Sequence, residues 1–150
     1  MRQIIRMRRS LLFLACLLFA GTTASAHADT LLATTATPTN IDAQGARVVW
    51  SDVDPQTGGF VLWTKVGDRD PERLPGRPHP TPLDVDLGRD AANKEILAYS
   101  CCAAAPSPIY TFDFTTRKET VRSPKRANEH LPAVSGDRIA FVRRLSANKP

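Results

Sequence analysis

Apolar residues in this 150-residue chain recur in short clusters divided by turn-forming residues, and the spacing inside each cluster is that of a strand. RVVWSDV, starting at Arg47, is rich in β-branched and aromatic residues that suit a buried pleated ribbon. DPQTGG supplies a turn: Pro55 presets one backbone angle, and Gly58 and Gly59 permit positive φ where the chain reverses. FVLWTKV returns as a second strand, and its apolar residues fall on both faces, as in a ribbon covered on both sides. A lone two-stranded hairpin is marginal in water, so other strands must complete it.

The next segment contains Pro71, Pro75, Pro78, Pro80 and Pro82 and predicts a connector, because proline removes an amide donor and fixes φ. Edge-strand character fits only around Glu72 to Leu74. The strand pattern resumes at EILAYSCC, residues 95–102. AAAPSP is a loop, and IYTFDF places Tyr110, Phe112 and Phe114 on one face by alternation. TTRK then turns the chain into ETVRSP, and SGDRIAFVRR opens a third unit with Phe141 in the aromatic position.

The start of the chain reads differently. Arg2, Arg6, Arg8 and Arg9 precede the apolar run LLFLACLLFAG, and Ala24, Ser25 and Ala26 form an A-x-A site. That order predicts a secretory signal peptide over residues 1–26, cleaved after Ala26 or after Ala28. The run falls short of the roughly 20 residues of a membrane span, which weighs against an uncleaved anchor. Bulky Phe13 and Leu14 before Cys16 weigh against a lipoprotein. The expected location is periplasmic or extracellular, with no stable membrane span after cleavage. Residues 27–40 read as a flexible lead-in.

Cleavage changes the charge balance. The whole chain has 20 Lys and Arg against 15 Asp and Glu, but the leader holds four of the basic residues and no acid. The mature chain is therefore close to neutral, which removes the main support for nucleic-acid binding. Arg117, Lys118, Arg122, Lys125 and Arg126 cluster in sequence and suit an anionic surface or, more simply, a solvated face. Cys101 and Cys102 are adjacent, so they cannot staple distant segments together; a vicinal bridge, pairing with another chain, or thiols all remain open.

No serine elbow, phosphate loop, dinucleotide fingerprint or zinc motif is present, and no cofactor, metal or catalytic residue is expected. His27, His79 and His130 have no serine or cysteine at suggestive spacing and read as surface residues. Three acidic pairs, Asp52/Asp54, Asp68/Asp70 and Asp84/Asp86, have the i, i+2 spacing that an oxygen-ligand calcium site would use. None continues into a calcium loop, and each reads as turn chemistry. Trp50 and Trp63 read as core rather than as a sugar platform.

Shifting the first unit by 49 residues carries Trp50 onto Tyr99, Ser51 onto Ser100, Trp63 onto Phe112, Arg73 onto Arg122 and Pro75 onto Pro124. The shared order of strand, turn, strand and proline favours a repeat over an ordinary β-sandwich with evenly spaced strands. The units are 41–83, 84–126 and an incomplete 127–150. GARVVWS and SGDRIAFVRR resemble the opening of TolB-like, WD40-like propeller repeats, and IYTFDFTTRKETVRSP is similar to the strands that follow it. The likeness spans residues 38–146 and extends to secreted bacterial propeller-like proteins of no assigned activity. Thr116-Arg117 replaces the usual Thr-Gly, Gly136-Asp137 inverts the usual Asp-Gly, and Pro108 stands where that group implies a second cysteine.

The resemblance implies an all-β fold of antiparallel propeller-type blades, two and the start of a third. A ring needs more blades than this, so the chain reads as the N-terminal portion of a longer one, or else as a subunit whose copies close the ring. The implied function is non-enzymatic binding or scaffolding outside the cytoplasm, with an envelope or extracellular protein partner. One alternative is the propeller portion of an exported prolyl-oligopeptidase-like hydrolase whose catalytic domain lies elsewhere; another is a nonfunctional remnant.

Overall fold

A computed structural model describes residues 31, 32, 34, 35, 37, 39–101, 106–123 and 128–144. Ala33–Pro150 forms one compact unit, distinct from Met1–Leu32, and the fold described here is that of the larger unit. It is all-β and antiparallel. β1 (Ile41–Gln44), β2 (Arg47–Val53), β3 (Phe60–Val66) and β4 (Glu72–Arg73) form one four-stranded sheet in sequence order. β5 (Leu83–Arg89), β6 (Glu95–Cys101), β7 (Ile109–Asp113) and β8 (Lys118–Val121) form a second in the same order. β9 (Asn128–Ser135) and β10 (Arg138–Arg144) pair as a third, two-stranded sheet.

The period of two in each strand decides what lies between the sheets. Val49, Leu62 and Leu74 leave the first sheet on one side and meet Leu83, Leu87, Leu97, Tyr99, Cys101 and Phe112 of the second. Tyr110 and Phe114 pack at the margin of this core, so the alternation read in IYTFDF does put its three aromatics on one face. Phe112 and Phe114 meet edge to face at 5.3 Å. In β6 every residue from Ile96 to Cys101 is buried, because its other face looks toward the third sheet. β10, by contrast, is mostly exposed.

The two larger sheets repeat a side-chain clasp. Asp42, opposite Val49 on β1, accepts the Leu87 amide through Oδ2 at 2.6 Å. Asp86, opposite Ala98 on β5, accepts the Val134 amide through Oδ2 at 2.6 Å. Each sheet thus reaches from its first strand to the first strand of the next. Ser51 Oγ, accepting the Leu83 amide at 3.1 Å, and Asn40 Nδ2, donating to Asp84 Oδ1 at 2.6 Å, reinforce the first junction. At the second junction Gly88 lets the sheets close: a Cβ there would lie 2.4 Å from Val134 Cγ1.

This overturns the turn reading of Asp84/Asp86, which lie within a strand and serve inter-sheet contact. Turn chemistry does hold for Asp54, whose carboxylate accepts the Gln56 amide and the Thr57 hydroxyl. The ungapped 49-residue shift also needs correction. It places β2 on β6, but Trp50 pairs with Trp63 thirteen residues on, and Tyr99 pairs with Tyr110 eleven residues on. The structural counterpart of Trp63 is therefore Tyr110, while Phe112 lies opposite Leu97. Similarly, Leu74 donates its amide to Leu62 and Arg122 to Ile109, both at 2.8 Å, so Arg122 matches Leu74 rather than Arg73.

The departures from the propeller-repeat pattern have local explanations. Gly45 and Gly136 sit at φ 59° and 61° in the two-residue loops joining β1 to β2 and β9 to β10. A two-residue hairpin with a glycine in its first position suits this geometry, which is why Gly precedes Asp at 136–137. Arg117 itself adopts φ 56° and forms an ion pair with Glu72 at 2.6 Å.

Candidate functional site

The proline connector is fixed at both ends. Leu74 is tied to Leu62, and His79 exchanges two backbone hydrogen bonds of 2.8 Å with Phe60. Gly59 permits that approach, since a Cβ on it would lie 2.6 Å from Pro78 Cβ. The segment between these ties carries Gly76 and an exposed Arg77 across the outer part of the second sheet.

Beneath it, three adjacent strands contribute one row. Tyr99 on β6 faces Tyr110 on β7, and Tyr110 faces Val121 on β8. The tyrosine rings stack with centroids 5.1 Å apart and an interplanar angle of 15°. Glu119, two residues before Val121 and on the same face, accepts a hydrogen bond from the Tyr99 hydroxyl. Between connector and sheet lies a cavity of ≈ 380 Å³, with Pro106 and Pro108 forming its remaining wall. Pro108, at the position where the resemblance implied a cysteine, is buried and closes the cavity.

The electrostatics follow from burial. Desolvation, with the Glu119 carboxylate beside it, pushes the Tyr99 hydroxyl far above the tyrosine range, so it remains a proton donor. Burial also raises Tyr110, against the opposing influence of Arg77. His79 is held below the ordinary histidine value by burial first and by Arg77 second, with Glu119 opposing, and is neutral at pH 7. Arg77 forms no ion pair among the described residues. The cavity thus combines a guanidinium, a carboxylate, an uncharged imidazole and the partly exposed ring of Tyr110, with Tyr99 stacked behind it. Donors and acceptors beside an aromatic wall can hold a small polar ligand.

Sequence reading reaches this site only in part. His79, read as a surface residue, is buried at 8 % exposure. His130 is half-buried on β9, and its Nε2 has no hydrogen-bond partner among the described residues. His27, Cys102, Lys125 and Arg126 lie outside the described residues. Of the basic cluster, Arg117 turns to Glu72 and Arg122 to the Thr111 hydroxyl at 2.8 Å, so these two do not form a common patch. Trp50 is buried at 4 % exposure and lies opposite Trp63 on the face of the first sheet turned away from the second. Nothing in the sequence joins Arg77, Tyr99, Tyr110 and Glu119, because they come from four segments with no shared spacing. Comparison with family models, curated proteins and solved structures finds no match to this chain.

Proposed function

We propose that this chain is part of an exported propeller-type protein whose role is binding or scaffolding, without catalysis, for a protein partner in the envelope or outside the cell. The observation that carries the reading is the repeated clasp, Asp42 to the Leu87 amide and Asp86 to the Val134 amide. It links each four-stranded meander through its first strand to the first strand of the sheet that follows, the last of these being two-stranded among the described residues, as blades are linked around an axis. Such units bury their faces only against neighbours, so a ring of typically 4–8 blades supplies what two alone lack. The basic, apolar, A-x-A leader supports export.

Cell fractionation with N-terminal sequencing, followed by cross-linking in intact cells, tests this reading. The expected result is a chain beginning at His27 or Asp29 outside the cytoplasm, cross-linked at fixed stoichiometry to a protein partner. A cytoplasmic chain that retains Met1 would refute it.

A further inference from the structure

We propose that the cavity between the proline connector and the second sheet binds an α-carboxylate ligand, a free amino acid or the C-terminal end of a peptide. Arg77 receives the carboxylate and Glu119 receives the neighbouring N–H. The inference concerns this cavity alone and does not depend on closure of a ring.

Three features carry it. The first is fit: ≈ 380 Å³ lies in the range of small-ligand pockets, and its walls are two tyrosines, two prolines and Val121. Such walls accept an apolar or aromatic side chain against Tyr110, Pro106 and Val121, with Tyr99 buried behind them. The second is the arrangement of charge. Arg77 hydrogen-bonds Tyr110 but has no carboxylate partner among the described residues, and its planar fork has further donors to offer a carboxylate. Glu119 spends Oε2 on the Tyr99 hydroxyl, and a carboxylate has capacity for further donors. Both charges act on His79 and on Tyr110, so they belong to one small site rather than to two distant surfaces. The third is rigidity. The Phe60–His79 bridge and the Leu74–Leu62 hydrogen bond hold the connector, so the backbone that carries Arg77 is fixed on both sides.

The ligand class follows from the combination. A simple anion would satisfy Arg77 but leave the Tyr110 ring and Glu119 unused, and a cation would meet Arg77 unfavourably. An α-carboxylate with an N–H one carbon away uses both charges at once. In a free amino acid that N–H is an ammonium; in a peptide end it is an amide.

Calorimetric titration of the exported protein with phenylalanine, N-acetylphenylalanine, N-acetylphenylalanine amide and a tripeptide ending in phenylalanine tests the proposal. Saturable binding of the carboxylate probes is expected, with the amide about 10- to 100-fold weaker, the range a hydrogen-bonded charge supplies. Arg77→Gln should remove that preference and Arg77→Lys should restore part of it. Glu119→Gln should weaken phenylalanine more than N-acetylphenylalanine. Preference for phenylalanine identifies a free amino acid as the source, and preference for the tripeptide identifies a chain end. Equal affinity for N-acetylphenylalanine and its amide, or absence of saturable binding by the unmodified protein, would overturn the proposal without use of any variant.

Discussion

Asp86 holds the second junction, and substitutions there separate its two physical contributions. Its Oδ2 accepts the Val134 amide at 2.6 Å in a partly buried setting. Asp86→Ala leaves that amide without its acceptor. An orphaned buried donor costs about 1–3 kcal/mol, and the half-buried position of Val134 places the loss near 1–2 kcal/mol. For a unit spanning Ala33–Pro150 that corresponds to a fall in Tm of about 4–8 °C.

Asp86→Asn tests the charge alone, because its side-chain carbonyl still accepts the amide. Burial, with Asp42 adding a like charge, holds the Asp86 carboxyl above its ordinary value against the pull of the Val134 amide. A carboxyl raised on folding contributes stability that is complete below its unfolded pKa and is lost as pH rises through the folded one. The uncharged asparagine side chain escapes that loss. D86N should therefore equal or exceed the parent in stability at pH 7, and its advantage should shrink as pH falls through the raised value toward the ordinary carboxylate range. Urea denaturation of D86A, D86N and the parent between pH 3 and pH 7 measures both effects, with Asp42→Ala as the matched break at the first junction. An alanine variant as stable as the parent, or an asparagine variant as damaged as the alanine one, would refute the reasoning.

Other substitutions probe separate features. Gly88→Ala puts a Cβ 2.4 Å from Val134 Cγ1 and 3.1 Å from the Val134 carbonyl oxygen, and should lose about 1–3 kcal/mol by urea denaturation. Glu129 is fully buried and holds the Arg143 guanidinium at 2.5 Å and 2.8 Å. Arg143→Met should strand that carboxylate and destabilise the chain by about 3 kcal/mol in thermal unfolding. Arg117→Gly relieves a left-handed backbone worth about 1–2 kcal/mol, but adds glycine entropy and removes an exposed ion pair. Its net effect on Tm should be neutral or a gain of no more than about 1 kcal/mol equivalent; a loss of larger size would show that the Glu72 contact matters more than the backbone.

The strands legible in the sequence are those whose side chains do one job. β2, β3, β6 and β7 are β-branched and aromatic because both of their faces are covered or nearly so, and apolar runs of that kind announce themselves. The first strand of each sheet is not legible as a strand. IDAQ, LDVDLGR and NEHLPAVS carry Asp, Asn, Gly and Pro, residues that ordinarily mark turns. Here the aspartates are needed to bond amides on the next sheet, and Gly88 is needed for close approach, so the junctions between sheets suppress the strand signal. The tyrosine pair illustrates a different limit. Its two members lie 11 residues apart where the paired tryptophans of the first sheet lie 13 apart, an offset that a gap-free comparison misses. The cavity has no local signature at all, since Arg77 stands in the connector, Tyr99 and Tyr110 read as ordinary strand aromatics, and Glu119 sits on the exposed strand β8.

The mass of the native particle, measured by native mass spectrometry on protein taken from cells, tests the serial packing of sheets most directly. The account predicts a particle holding at least about four such sheets, the lower end for a closed ring, whether from one longer polypeptide or from several copies. A single chain of residues 27–150 that stays monomeric and unfolds cooperatively would contradict it.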